Sequence, residues 1–209
     1  MKKKEIMIIR HGRSRYNVEA TKDLDAGLTD FGHQQAEMVG KFLKDDFADW
    51  NIITSPFLRC LETAQHIADE LSHFGTGGMC KCVVDGRLGE MTVDYHEIES
   101  LRVVDRKEKF PHMDFSKFKM MDFAHERMDK YLQRLEEMWH DIPNRTILVT
   151  HGSPVLSFIR MHEGIFGSVP LWNHSVGNCS MTWMKGKRLV WRTRDLYWEM
   201  PDKIWACGK

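Results

Sequence analysis

Residues 5–12 read EIMIIRHG, and residues 146–152 read TILVTHG. Each is an apolar run with β-branched residues that stops at His-Gly, and in the first Arg10 stands directly before the histidine. Runs of this length and composition read as buried strands. In a largely parallel sheet, ligands bind at the carboxyl ends of the strands, which is where Arg10, His11 and His151 would lie. Glycine after each histidine lets backbone come close to a ligand, and the helix expected next offers free N–H groups to an anion. One such pair would be unremarkable, since a satisfied structural histidine is commoner than a functional one. Two pairs with an arginine beside the first point to an anion site.

Outward from these segments the same alternation continues. Residues 51–54 and 82–84 are further short strands. A helix carries Ala36, Val39 and Leu43 behind a Thr29 cap. A second carries Leu61, Ala64, Ala68 and Leu71 behind Ser55-Pro56, read as an N-cap and first-turn proline. A third carries Met128, Leu132, Leu135 and Trp139. Residues 180–184 and 188–193 flank Lys185-Gly186-Lys187 and read as a hairpin. The expected fold is a three-layer α/β/α sandwich with a largely parallel central sheet. Residues 1–209 read as one domain, with a cap inserted at about 99–121. There Phe110, Met113, Phe115, Phe118, Met120 and Met121 mix with basic residues without a clean period. A self-packed surface excursion is the alternative for this segment.

Composition narrows the function. At 209 residues with thirty basic and thirty acidic side chains, the chain has no global field to gather nucleic acid or an anionic membrane. Attraction for anions has to be local. Cys60, Cys80, Cys82, Cys179 and Cys207 are odd in number and irregularly spaced, and no second pair completes the Cys80-x-Cys82 motif into a zinc site. They read as reduced thiols. The apolar run after Lys2-Lys3-Lys4 stops at Arg10, too short for a secretory segment or a membrane span, so the expected location is cytoplasmic. No internal repeat appears, and oligomeric state has no signature.

Two further residues suit an anion. Arg59, early in the helix after Ser55-Pro56, can reach back over the strand ends, and its planar fork fits phosphoryl oxygens. Glu90, just past the 82–84 strand, is a carboxyl that a neighbouring phosphate would drive towards its protonated form, as a general acid requires. Taken alone, each has a plainer account as a solvated surface residue. An aspartyl-nucleophile phosphatase reading of Asp23 to Thr29 fails because VEATK, not an apolar strand, precedes it. His151-Gly152-Ser153 lacks the flanking glycines of a nucleophile elbow.

Together the residues resemble the histidine phosphatase superfamily, the phosphoglycerate mutase-like family. The likeness runs through Arg10-His11-Gly12 with Asn17, Leu28-Thr29 with Gly32 and Gln35-Ala36, Ser55-Pro56 with Arg59 and Thr63-Ala64, Leu88-x-Glu90, His151-Gly152 and Asn178-Cys179-Ser180. It implies the sandwich fold and His11 as nucleophile. Arg10, Arg59 and His151 would bind the phosphoryl group with Asn17 and Gly12, and Glu90 would donate the proton. No metal or cofactor is implied. The expected activity is that of a histidine acid phosphatase-like phosphomonoesterase on a small phosphorylated substrate; a phosphoglycerate mutase-type transfer and a non-catalytic phospho-ligand-binding module are the alternatives. The chain departs from the family pattern at Arg13, where an acid or amide is usual, and at Ser153-Pro154, where glycine or small apolar residues are usual. Arg13 either meets a second anionic group on the substrate or pairs with Glu19 or Asp23.

Overall fold

The computed structural model describes residues 4–18, 21, 23–74, 80–91, 103–118, 126–163, 176–186 and 188–193. In chain order these form β1 (Glu5–Arg10), α1 (Arg15–Val18), α2 (Asp30–Phe47), β2 (Asn51–Thr54), α3 (Leu58–Phe74), β3 (Cys82–Val84), α4 (Val103–Lys109), β4 (Met113–Asp114), α5 (Met128–Asp141), β5 (Thr146–Thr150), α6 (Gly152–Glu163), β6 (Met181–Lys185) and β7 (Arg188–Arg192). A 3-10 turn spans Gly86–Leu88. The strands make one sheet in the order β4-β3-β2-β5-β1-β6-β7. The β4-β3-β2-β5-β1 part is parallel, and the expected hairpin β6-β7 adds two antiparallel strands.

The central strands are apolar at consecutive positions because both faces of the sheet are covered. Alternation decides which helix layer each side chain meets. Met7, Ile9, Ile52, Ile147 and Val149 pack with Ala36, Val39 and Leu43 of α2 and Leu61, Ala64 and Leu71 of α3. Ile6, Ile8, Ile53 and Leu148 face the other way, against Leu135 and Trp139 of α5 and Val155 and Phe158 of α6. The expected three layers are therefore present. Among the described residues, no helix is long and apolar enough to cross a membrane.

Register places the site. Arg10 pairs with Thr150 in parallel, so the next residues, His11 and His151, leave the sheet side by side. Thr54 pairs with Val149, which brings Ser55 to the same edge.

Two helices differ from the expectation. Thr29 does cap α2, accepting from Gly32 N at 3.1 Å. Ser55 does not cap α3, which begins three residues later; the amide of Leu58 is taken by Asp25 Oδ1 at 2.8 Å. Helix α5 buries Tyr131, Arg134, Leu135, Met138 and Trp139, while Met128 is exposed. Its buried face is turned from the purely apolar one because Arg134 is drawn inward by Glu126, at 2.6 and 2.8 Å, and by the carbonyls of Arg87 and Gly89.

Of the segment at about 99–121, residues 99–102 and 119–121 lie outside the described residues. Its described part supplies α4 and the edge strand β4, and Phe110, Met113 and Phe115 are buried in the core on the α2–α3 side.

Candidate active site

Arg10, His11, Arg59, Glu90 and His151 come from four separate stretches of chain and meet at the carboxyl edge of the sheet. His11 is buried, and its backbone is tied to β5 by His11 N donating to Thr150 O at 2.9 Å. Its ring nitrogens have different partners: Nδ1 lies 2.7 Å from the carbonyl of Gly12, and Arg59 Nε donates to Nε2 at 3.2 Å. A carbonyl accepts and a guanidinium donates, so the proton sits on Nδ1 and the lone pair on Nε2. Burial, then Arg59 and Arg10, holds the His11 pKa well below the usual histidine range, leaving the ring neutral.

His151 is fully buried, with its ring centroid 5.3 Å from that of His11. Arg59 Nη2 is 3.2 Å from its Nδ1 and Ser55 Oγ is 2.8 Å from its Nε2, so Nε2 carries the proton. Burial, followed by Arg59, His11 and Arg10, lowers its pKa in the same way. Arg59 thus serves both imidazoles at once, while its Nη1 is anchored on Leu24 O at 2.8 Å. Its guanidinium also lies 4.7 Å from the Phe57 ring centre and 5.9 Å from that of the exposed Tyr16. Arg10 donates through Nη1 to Val176 O, and its buried Nε has no hydrogen-bond partner among the described residues. Burying a cationic donor unsatisfied is costly, so that N–H is poised for an anion.

Glu90 lies with Oε2 3.8 Å from His151 Nδ1. The loop before it is pinned by Thr150 Oγ1 donating to Leu88 O at 2.7 Å and by Arg134 donating to Arg87 O and, at 3.0 Å, to Gly89 O. Burial raises the Glu90 pKa against the opposing pull of Arg59 and Arg10. Its Oε1 accepts from both the hydroxyl and the backbone N–H of Ser153. Cys60, 3.5 Å from His151 Nε2, has its thiol pushed up to about 12 by burial and stays protonated.

The remaining sequence-selected residues lie around this group. Asn17 Oδ1 accepts from Ser14 N, Ser14 Oγ and Asn178 Nδ2, and Asn178 Nδ2 also reaches His11 O at 3.1 Å. Gly12 donates to Thr63 Oγ1 at 3.0 Å, and a Cβ there would stand 2.6 Å from Gly32 O, so its glycine is demanded by another backbone. Arg13 is exposed and holds Gln35 and Thr29 through its main chain; no contact to its guanidinium is seen among the described residues, Asp23 included, and Glu19 lies outside them.

Sequence reasoning passed over Ser153, Arg134 and Asp25, and read Ser55 as a helix cap where the structure makes it the partner of His151. Two of these left a trace. Ser153 stood at a noted departure from the family pattern, and Arg134 interrupts the apolar spacing of Tyr131 and Met138.

Comparison with known proteins identifies the family and matches the fold. A sequence profile of the histidine phosphatase superfamily (branch 1) matches residues 6–199. The 2,3-bisphosphoglycerate-dependent phosphoglycerate mutase of Brucella ovis is 33% identical over 108 residues, 50% of each chain. The match thus spans about half the length of the curated relatives it aligns with. Among solved structures, the ecdysone phosphate phosphatase of Bombix mori, in complex with tungstate, superposes with a TM-score of 0.63 at 20% identity, covering 90% of this chain and 92% of that one. A phosphoserine phosphatase of Entamoeba histolytica, in complex with 3-phosphoglyceric acid, gives 0.61 at 19%, covering 90% and 96%.

Proposed function

The chain belongs to the histidine phosphatase superfamily, and from that premise we propose that it is a metal-independent phosphomonoesterase of small phosphorylated substrates, working through a phosphohistidine on His11. The observation that carries the proposal is the state of His11, neutral, with its Nε2 lone pair turned towards Arg59. A phosphoryl group entering here displaces the Arg59 Nε hydrogen bond from Nε2 and gives the guanidinium oxygens to bind instead. The orphaned Nε of Arg10 gains a partner in the same step. His11 Nε2 attacks phosphorus, the alcohol leaves with a proton from Glu90, and Gly12 O steadies the positive ring through Nδ1–H. Glu90 then takes a proton from water, which opens the phosphohistidine and releases inorganic phosphate. Charge on the transferring group is neutralised by Arg10 and Arg59, with His151 alongside, so positioning and electrostatics supply most of the rate. In this reading Asn17 and Arg13 contact the substrate at the rim, and the segment at about 99–121 acts as a cap.

The second reading is a mutase, favoured by the names of the relatives matched over half their length. The two share His11 and differ in the acceptor, water or a second alcohol. The test is to mix the protein with a panel of phosphate esters, quench in alkali and map acid-labile phosphate by mass spectrometry. Phosphate on His11 with inorganic phosphate released, in excess chelator, is the expected result. Phosphate on another residue, or turnover unchanged in His11→Ala, removes the mechanism; transfer between alcohols without phosphate release selects the mutase.

A further inference from the structure

We infer that Ser153 is a positioning residue for Glu90: its hydroxyl and its backbone N–H hold Oε1, so that Oε2 alone faces His151 and the reacting group. The inference rests on the phosphohistidine reading and deepens it. Ser153 lies in the first turn of α6, where an amide has no carbonyl of its own helix to bind. That amide is spent on Glu90. The hydroxyl is spent there too. On α5, the fully buried Tyr131 takes its hydrogen bond from Ser157 Oγ, at 3.4 Å.

This arrangement answers a conflict in the site. Glu90 has to stay protonated to act as acid yet ionise readily to act as base. The groups facing it are Arg10, Arg59, His151, Cys60 and Tyr131. The arginines pull it towards the carboxylate and burial pulls it away. Two donors from Ser153 add to the carboxylate side while fixing which oxygen carries the transferable proton. Glycine or a small apolar residue at 153 keeps the amide and lacks the hydroxyl.

The experiment uses the full chain and the variants Ser153→Ala and Ser153→Thr. Glu90 is titrated by carboxyl-carbon NMR without substrate, and phosphorylation by ethyl and phenyl phosphate is followed in single turnovers below the alkaline limb, where Glu90 is protonated in every protein. Ser153→Ala is expected to raise the Glu90 midpoint by about one pH unit. It should slow ethyl phosphate by about tenfold to a hundredfold, the scale of a lost hydrogen bond to a charged group, and phenyl phosphate by less. The alkaline limb moves up with the midpoint. Thr restores both readouts, because its hydroxyl can take the same place. An unmoved Glu90 midpoint in Ser153→Ala, or equal slowing of both esters, overturns the inference. Absence of phosphate on His11 in the unmodified protein is a separate result that removes the function reading, while the titration still judges the contact.

Discussion

His11 is held in one neutral tautomer, with its lone pair on Nε2, by two neighbours of opposite character, the Gly12 carbonyl on Nδ1 and the Arg59 guanidinium on Nε2. Arg13, two residues further, shows the reverse situation: its backbone is fully engaged, and its side chain extends from a buried loop into solvent. A charged fork in that position suits a second anionic group on the substrate. Arg13→Gln is expected to lower kcat/KM for esters carrying a remote phosphate or carboxylate by about tenfold or more relative to matched esters without one, as a charge-assisted bond of roughly 1.5–3 kcal/mol would. Comparing such pairs at fixed ionic strength checks it. Equal factors for both members of each pair would take Arg13 out of substrate recognition.

At the scale of elements, helix α3 delivers Arg59, and α3 is started from outside its own sequence. Asp25 caps it at Leu58 N and also pairs with Arg106 of α4, which in turn donates to Pro56 O. The loop carrying Asp25 presents Leu24 O to Arg59. One carboxylate therefore ties α4, the head of α3 and the arginine that serves both imidazoles. Asp25→Ala should lower unfolding free energy by about 1–3 kcal/mol, combining a lost helix cap with an arginine left unpaired. Asp25→Asn should recover the cap share only. Urea unfolding of both variants tests the assignment, and an Asp25→Ala midpoint equal to that of the parent would show that the cap contributes nothing.

At the scale of the whole molecule, the site makes stability depend on pH. His11 and His151 are held neutral in the folded protein, with pKa values well below the ordinary value that they regain on unfolding. Below about pH 6.5 the unfolded chain binds protons that the folded chain refuses, so stability present at neutral pH is lost as pH falls, by up to about 1.4 kcal/mol per pH unit for each histidine. Glu90 acts in the opposite sense. Its raised pKa lets the folded protein take up a proton first, which offsets part of the loss as pH falls through its folded value. Denaturant unfolding measured between pH 7 and pH 5 should therefore show falling stability, with a flatter slope in a His11→Gln/His151→Gln protein. A slope unchanged by that double substitution would show that the two histidines are not the groups responsible.

The strands, the layers they imply and the convergence of Arg10, His11, Arg59, Glu90 and His151 on one edge of the sheet could be read from the chain alone. Each is announced locally, by an apolar run, a helical spacing or a short motif at a strand end. The partners of those residues could not. Asp25 caps a helix that begins thirty-three residues later, Ser153 holds a carboxyl sixty-three residues before it, and Arg134 crosses forty-five residues to reach the Gly89 carbonyl. Hydropathy and spacing report which face a side chain presents, because backbone geometry repeats over a few residues. Which polar atoms meet is decided by the register of β1, β2 and β5 and by the helices packed on them. Burial then obliges each such atom to find its donor or acceptor, however distant in sequence.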